Sequence, residues 1–308
     1  MFFPQAKLVP ILARPFTREM TTNQPFFLEE TADGSFTFIS SEFQEAFHSH
    51  YGAKREAEEK FVKTTRLSEQ AQRNSLRLLD VCYGLGYNTA AALATIWQHN
   101  PHCRIEWIGL ERDLAVVRAS CHHHLLDWWG SAIVKLLEAI AQRQQVQTPQ
   151  FQGQLLLADA RQTIQQAIQQ EFLADAIFLD PFSPTKCPQL WTVEFLGQVA
   201  QCLHPQGYLA TYSCAAAVRT AFLENQLHIG ATTPVGRKTP GTLARWENSD
   251  LPLLSQAERE HLQTRAAVPY RDPTLSADAA TIVQRRQREQ QWCGLEPTSQ
   301  WKKRWRDW

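Results

Sequence analysis

Acidic residues end several apolar segments of the chain, where their carboxylates could bind a ligand. Asp80, Glu111, Asp159 and Asp180 each close a short run that is rich in Leu, Ile, Val or Phe. Carboxylates accept hydrogen bonds from the amino and hydroxyl groups of ligands. Each acid alone would equally serve as the N-cap of a following helix. The carboxyl ends of parallel strands meet at the edge where ligands bind, so the four acids together indicate a binding site.

A glycine-rich loop begins at the first of these acids. It spans Asp80–Thr89 (DVCYGLGYNT), and Gly84 and Gly86 permit positive φ and close approach of the backbone to a ligand. Glu111 stands 25 residues beyond Gly86, where an acid can accept hydrogen bonds from ribose hydroxyls. A dinucleotide fingerprint needs a third glycine or alanine, and Thr89 takes that place. The cradle for a pyrophosphate is therefore imperfect.

S-adenosylmethionine suits this pattern better than a dinucleotide, because it has no phosphate and needs hydrogen-bond acceptors. Asp80 can face the cationic amine of its methionine part. Glu111 can bind the ribose hydroxyls, and Asp159, together with the backbone at Ala160, can bind the adenine. These carboxylates favour a class I methyltransferase over a dehydrogenase.

The elements that must position these residues alternate between short apolar strands and helices. We predict strands at Leu76–Cys82, Arg104–Glu111, Leu155–Asp159, Ala176–Asp180 and Gly207–Ser213. Helices are predicted between and after them, at 88–99, 113–129, 131–141, 161–171, 191–203 and 215–225. This alternation predicts an α/β fold of the class I (Rossmann-like) type, with a mostly parallel sheet and helices on both faces.

The pattern is less regular outside this region. We predict a strand at Ser35–Ser40, a charged helix over 41–63 and a loop over the Gln-rich residues 142–154. Regularity fades after about residue 250. We therefore divide the chain into an N-terminal strand and helix extension (1–63), a methyltransferase domain (64–250) and a basic, Trp-rich C-terminal tail (251–308).

Composition excludes several classes of function. The 308 residues include 31 basic and 31 acidic side chains, so any surface for nucleic acid must be local. Seven cysteines without C-x-x-C spacing argue against a disulfide framework or a zinc site, and we interpret His122–His124 as a polar helix end rather than a metal site. We expect a cytoplasmic protein, because the sequence indicates neither a signal peptide nor a membrane span.

Residues Leu179–Thr192 carry a specific resemblance to a known family. Their sequence, LDPFSPTKCPQLWT, resembles the motif L-D-x-F-[SA]-P-x-K-N-P-x-M-W of the MnmC-type tRNA methyltransferases, from which Cys187 and Leu190 depart. The first loop resembles the family pattern E-x-G-x-G-x-G-x-N, with Asp80 in place of the glutamate and Cys82 in place of the first glycine.

Two shorter stretches resemble the same family. His48–Glu56 (HSHYGAKRE) is similar to a motif that precedes its methyltransferase domain, H-S-x-x-G-A-x-x-E. Gly236–Lys238 resembles its G-x-K-R loop. The resemblance covers about residues 33–246, which correspond to the methyltransferase half of the bifunctional members. We therefore expect a stand-alone methyltransferase without their FAD-dependent oxidase half.

The resemblance implies an S-adenosylmethionine-dependent enzyme that methylates the aminomethyl group of 5-aminomethyl-2-thiouridine, a modified wobble uridine of tRNA. Asp180 would be the catalytic residue, orienting the acceptor amine and accepting its proton. Pro181 and Pro184 would restrict the freedom of the loop that carries it. The residues expected to bind the cofactor are Asp80, Gly84, Gly86, Asn88, Glu111, Asp159 and Ala160.

Substrate contacts are expected from two loops. The residues are Phe182, Lys186, Trp191, Arg237 and Lys238. Phe182 and Trp191 would stack on a base or, as an equal alternative, pack their loop onto the sheet. Residues 285–308 hold seven basic and three acidic side chains with four tryptophans, which suits phosphate contact and base stacking or a tail folded back on the core.

Other functions also fit the sequence. An NAD-type oxidoreductase could use the same fold, and S-adenosylhomocysteine or NAD binding would separate it from a methyltransferase. A non-catalytic RNA-binding protein with a vestigial pocket is the second alternative, because Cys82 alters the first loop. A methyltransferase of the same class with a different acceptor is the third.

Overall fold

A small antiparallel sheet lies at the N-terminal end of the computed structural model, which describes residues 26–236 and 239–306. Strand β1 (Phe26–Glu30) pairs with β2 (Phe36–Ser40), and β2 pairs with β3 (Glu45–Ala46). The predicted strand at Ser35–Ser40 is confirmed.

The predicted helix over 41–63 is wrong in its first half. Turns and β3 occupy the chain up to Gly52, and helix α1 (Ala53–Glu56) then continues as a π-helical segment, Ala57–Val62. Gly52 has φ +139°, and a Cβ there would collide with the side chain of Asp33. Because this φ lies outside the helical region, the helix starts only after Gly52.

Eight strands form the central sheet. They are β4 (Ser75–Val81), β5 (Arg104–Glu111), β6 (Gln145–Gln147), β7 (Phe151–Leu157), β8 (Ala174–Leu179), β9 (Leu203–Thr211), β10 (His228–Ala231) and β11 (Thr242–Arg245). The order is β10-β11-β9-β8-β4-β5-β7-β6, and the five strands from β9 to β7 are parallel. Antiparallel pairing is confined to the edges, at β6 with β7 and at β11 with both of its neighbours.

Helices follow most strands of this sheet. They are α2 (Leu67–Gln70), α3 (Tyr87–His99), α4 (Leu114–His122), α5 (Ser131–Arg143), α6 (Ala160–Gln169), α7 (Val193–Gln201), α8 (Ala216–Glu224), α9 (Gln256–His261), α10 (Ala279–Trp292) and α11 (Thr298–Arg304). One buried apolar cluster packs α3 and α5 on the sheet, and a second packs α6, α7 and α8. All six residues of β8 are buried, as a parallel strand covered on both faces requires. The predicted α/β class is confirmed.

The strand order reverses between β4 and β8. The chain passes from β4 to β5 and β7 on one side, and then returns to β8, which pairs with the other side of β4. A reversal of this kind leaves a crevice at the carboxyl ends of the two strands, which is where ligands bind in open α/β sheets. Asp80 lies one residue before the end of β4, and Asp180 follows directly after β8.

Two predicted boundaries are corrected by local geometry. The predicted loop over 142–154 instead holds the end of α5, the edge strand β6 and the start of β7, because an edge strand can expose polar glutamines to solvent. The helix predicted over 113–129 ends at His122, and His124 has a left-handed φ of 56° that a helix cannot contain.

The C-terminal region is more regular than predicted, since it contains α9, α10 and α11. Ser255 and Glu258 form a capping box at the start of α9. Trp301 is buried, and its Nε1 donates to the carbonyl of Ala257 at 2.9 Å. Trp292, by contrast, is 86% exposed. The end of this region therefore folds back through Trp301 and leaves one tryptophan on the surface.

Candidate active site

A cavity of about 660 Å³ opens where the carboxyl ends of β4 and β8 diverge. Its walls come from the loop after β4, the ends of β5, β7 and β8, and the segment between β2 and α1. The volume lies in the range of small-molecule sites. Six of the predicted site residues line it together, namely Gly84, Glu111, Asp159, Ala160, Asp180 and Phe182.

Asp80 lies behind the wall rather than in it. Its side chain is fully buried, and Oδ2 accepts a hydrogen bond of 2.6 Å from the hydroxyl of Thr89, which in turn accepts one from Trp107 Nε1. Among the residues described, Oδ1 has no hydrogen-bond partner. Burial raises the pKa of Asp80 well above its usual value, against the opposing effect of the Thr89 hydrogen bond. A cation brought close to Asp80 would stabilise the ionised carboxylate.

The first loop turns sharply through three residues with positive φ, Cys82, Gly84 and Gly86. Gly84 lines the cavity, whereas Gly86 does not and is the N-cap of α3. A Cβ on Gly86 would collide with the hydroxyl of Tyr83, so glycine is required there by space as well as by φ. Cys82 adopts a φ of 67°, which is uncommon for a residue with a Cβ.

Glu111 joins the end of β5 to the first loop. Its Oε2 accepts from the backbone N of Gly84 at 2.8 Å, and its Oε1 accepts from the backbone N of Arg112 and Asp113 at 2.7 and 2.9 Å. Burial raises the pKa of Glu111, although these three hydrogen bonds oppose the shift. The carboxylate faces the cavity and has remaining lone pairs that could accept from ribose hydroxyls.

Asp159 forms the wall beside the end of β7. It is the N-cap of α6, accepting from the backbone N of Arg161 at 2.9 Å, and it also pairs with the Arg161 guanidinium at 2.7 Å. Burial would raise the pKa of Asp159, but the hydrogen bonds and charge of Arg161 outweigh it and hold the pKa below its usual value. Arg161 also contacts Asp272 at 3.1 Å, which ties this wall to the C-terminal region.

Asp180 is half-buried at the opening between β4 and β8. Its Oδ2 accepts a hydrogen bond of 2.9 Å from Asn88 Nδ2. Asn88 was expected to bind the cofactor, but it is buried on the first turn of α3, outside the cavity wall. Its direct contact is with Asp180, because the α3 turn points its amide towards β8. Asn88 therefore positions the predicted catalytic acid.

The loop after Asp180 is anchored at three successive residues. The carbonyl of Pro181 accepts from Tyr212 OH at 2.9 Å, and that of Phe182 accepts from Trp191 Nε1 at 2.8 Å. The backbone N of Ser183 donates to Glu45 Oε2 at 3.0 Å. The two prolines are thus only part of the restraint on this loop. Sequence reasoning missed both Tyr212 and Glu45.

Two predicted substrate contacts lie away from the cavity. Trp191 is fully buried in the core under the loop, so stacking on a base is wrong for it and its packing alternative holds. Lys186 is exposed and does not line the cavity. Phe182 lines the cavity and stacks on Phe43, with ring centroids 4.4 Å apart. Arg237 and Lys238 lie outside the residues that the structure describes.

The segment between β2 and α1 supplies a wall that the sequence did not predict. Phe43, Glu45, Phe47 and His48 all line the cavity. Burial lowers the pKa of His48 to about 4, so its ring is neutral at pH 7. No spacing signal links these residues to the loop after β8, because they come from a part of the chain more than 100 residues earlier.

Neither a metal centre nor a membrane anchor is found in the described part of the chain. No group of three or more His, Cys, Asp or Glu side chains there could hold a metal ion. None of its helices is both long and apolar enough to span a bilayer.

Known proteins resemble this chain in sequence and in structure. A family model described as S-adenosyl-L-methionine-dependent methyltransferase matches residues 123–247. The crystal structure of MnmC2 from Aquifex aeolicus superimposes with a TM-score of 0.76 and 32% identity, covering 88% of this chain and 87% of that one. An uncharacterised protein of Methanocaldococcus jannaschii is 28% identical over 276 residues, which are 84% of this chain and 71% of that protein.

A longer relative matches over part of its length. The tRNA 5-methylaminomethyl-2-thiouridine biosynthesis bifunctional protein MnmC of Ralstonia nicotianae is 28% identical over 227 residues. These residues are 68% of this chain and 33% of the bifunctional protein. The chain thus matches about one third of that relative.

Proposed function

The chain belongs to the MnmC2 family of S-adenosylmethionine-dependent methyltransferases, and on this premise we propose that it methylates a modified wobble uridine of tRNA. The acceptor would be the aminomethyl nitrogen of 5-aminomethyl-2-thiouridine. The tRNA substrate is suggested by the name of the bifunctional relative. The observation that carries the proposal is Asp180, held by Asn88 on an anchored loop and facing the same cavity as Glu111 and Asp159.

The cavity residues fit S-adenosylmethionine in their chemistry. Glu111 offers acceptors for the two ribose hydroxyls, and Asp159 offers one for the adenine amine. Asp80, with its unpartnered Oδ1 behind the first loop, would stabilise the cationic amine of the methionine part. The cofactor, when bound, supplies an electrophilic methyl group on its sulfonium.

Asp180 would act on the acceptor amine. A primary amine with an ordinary pKa of about 10 is protonated at pH 7, and removing that proton costs about 4 kcal/mol. Partial desolvation in the cavity would reduce this cost. We assign two tasks to Asp180, which are orienting the neutral amine through a hydrogen bond and accepting its proton. Asn88, Tyr212 and Glu45 keep the acid and its loop in place for both tasks.

The remaining parts of the chain take supporting roles in this proposal. Phe182 would contact the uracil ring from the cavity wall, and Lys186, Arg237 and Lys238 would contact phosphates outside it. The division into 1–63, 64–250 and 251–308 accords with a wall built by the extension around Glu45. The enzyme would act in the cytoplasm, where its tRNA substrate is modified.

Methyl transfer to purified tRNA tests the proposal. tRNA that carries 5-aminomethyl-2-thiouridine is incubated with the protein and labelled S-adenosylmethionine, and the nucleosides are then separated and weighed by mass spectrometry. We expect label only in the methylated form of that nucleoside, and none in tRNA with an unmodified wobble uridine. Binding of S-adenosylhomocysteine without any label in tRNA would show that the acceptor is a different one.

A further inference from the structure

One exposed aromatic side chain at the mouth of the cavity has no role in the chemistry above. Tyr51 is 60% exposed, yet it lines the cavity. It belongs to His48–Glu56, the stretch that resembles a family motif but supplies no catalytic or cofactor contact. Large exposed aromatic side chains that border a site are candidates for ligand contact.

The turn that carries Tyr51 is held from both ends. The backbone N of Ser49 donates to Glu56 Oε2 at 2.7 Å, and Glu56 is itself buried and paired with Lys60 at 2.8 Å. The backbone N of Gly52 donates to the carbonyl of Ser49 at 3.1 Å. Gly52 also packs so closely on Asp33 that it has no room for a Cβ. Tyr51 is therefore an exposed ring on a rigid base, which loses little entropy when it binds.

Tyr51 lies on the acceptor side of the cavity. Phe47, four residues earlier, contacts the ring of Phe182 edge-to-face with centroids 4.9 Å apart, and Phe182 is two residues from Asp180. Four residues of extended chain span at most about 14 Å, so Tyr51 is within a few nucleotide lengths of the acceptor site. On its other flank, a Cβ built on Gly236 would be 2.5 Å from Tyr51 Cβ. The backbone at Gly236 thus packs against the root of the side chain, while most of the side chain remains exposed.

We propose that Tyr51 stacks on a nucleobase adjacent to the nucleotide that is methylated. This inference rests on the proposed function, since it requires a single-stranded RNA segment at the cavity mouth. Sequence-specific and single-stranded RNA sites commonly hold unstacked bases on aromatic side chains. Such a contact would hold the neighbouring base outside the cavity while the acceptor nucleotide enters towards Asp180.

Substitutions at Tyr51 distinguish stacking from packing. Removal of a stacked aromatic side chain weakens single-strand binding by about 5- to 150-fold, and we expect that loss in RNA affinity for Tyr51→Ala. Tyr51→Phe and Tyr51→Trp should retain affinity because they keep an aromatic face. Tyr51→Leu keeps the Cβ and Cγ that touch Gly236 but has no aromatic face, so it should resemble Tyr51→Ala. Trp128→Ala, at another exposed aromatic outside the cavity wall, is the matched control.

The measurements are RNA affinity by fluorescence anisotropy, KM and kcat for an anticodon stem-loop with the modified wobble uridine, and S-adenosylhomocysteine affinity by calorimetry. We expect Tyr51→Ala to raise the Kd and KM for RNA, with a smaller effect on kcat and none on S-adenosylhomocysteine binding. Full affinity of Tyr51→Leu would show that Tyr51 only packs against its neighbour, and this would overturn the proposal. Equal affinity of Tyr51→Ala and wild type would overturn it as well.

Abasic substrates identify the base that is stacked. Two stem-loops are made in which the nucleotide on one side of the wobble position, or on the other, lacks its base. We expect the affinity loss of Tyr51→Ala to disappear with one of them, because the stacking partner is already missing. A loss that persists with both would refute stacking on a neighbouring base. Since affinity is measured without turnover, a wild-type protein that binds RNA but does not methylate it would count against the proposed function alone.

Discussion

Replacing Asp180 separates the chemical role of this acid from the role of its loop. Asp180→Asn keeps the shape of the side chain, and an amide oxygen can still accept the hydrogen bond that Asn88 donates at 2.9 Å. Only the charge and the basicity are lost. Asp180→Ala also removes the contact with Asn88, whose Nδ2 and Oδ1 would then both lack a described partner. The anchors at Pro181, Phe182 and Ser183 stay in both variants.

The expected loss follows from the two tasks assigned to this residue. Removing a general base slows a reaction by about 100- to 10,000-fold, which corresponds to ~3–5 kcal/mol of activation free energy. Asp180→Asn should fall in the lower part of this range if it still orients the amine, and Asp180→Ala should fall in the upper part. Affinity for S-adenosylhomocysteine should change little, because Glu111 and Asp159 line a different wall of the cavity.

Single-turnover methylation between pH 6 and 9 measures this effect without interference from product release. Calorimetry with S-adenosylhomocysteine and thermal melting are the controls for cofactor binding and folding. If Asp180→Asn matched the wild type at every pH, the acid would only position the amine. If Asp180→Ala matched it too, the reasoning that places the reaction at this acid would be refuted.

Four further predictions test other parts of the account. Glu111→Ala should weaken S-adenosylhomocysteine binding, because each charged hydrogen bond that is lost contributes roughly 1.5–3 kcal/mol; an unchanged calorimetric Kd would exclude Glu111 from the site. Trp191→Ala should lower the free energy of unfolding by about 3–5 kcal/mol, since the side chain is fully buried, and a loss of RNA affinity at unchanged stability would contradict its packing role. Lys302→Ala with Lys303→Ala, two exposed side chains on α11, should reduce the salt dependence of RNA binding by about 0.7–0.9 per phosphate contact, whereas an unchanged slope would leave α11 outside the interface. His48 has its pKa lowered to about 4 by burial, so the unfolded chain binds its proton first and stability should fall by up to ~3 kcal/mol as the pH drops from 6.5 to 4. His48→Gln should flatten that dependence in urea unfolding, and an unchanged slope would assign it to other groups.

The cofactor side of the cavity could be predicted from the sequence because each of its parts is local. Asp80, Glu111, Asp159 and Asp180 each end or follow an apolar strand, and parallel pairing brings such ends to one edge. The sequence does not show which acids face the ligand. Asp80 ends up behind the first loop because it occupies the next-to-last position of a buried strand.

The acceptor side could not be predicted, because it depends on contacts between distant parts of the chain. Glu45 holds the backbone N of Ser183 across 138 positions of sequence, and nothing in the spacing of either stretch reveals this pairing. Side-chain direction in an irregular loop has no period from which to predict it. Trp191 therefore turned inwards, while the similarly placed Phe182 remained in the cavity wall. Gly52 limited the N-terminal helix through a conformation that propensity alone does not reveal.

Nucleoside mass spectrometry of tRNA from cells that lack this protein tests the central claim most directly. The account predicts that 5-aminomethyl-2-thiouridine accumulates and its N-methylated product disappears. Expression of the wild-type chain should restore the methylated nucleoside, and expression of Asp180→Ala should not. An unchanged amount of the methylated nucleoside in cells without the protein and without a second enzyme of this family would contradict the proposed function.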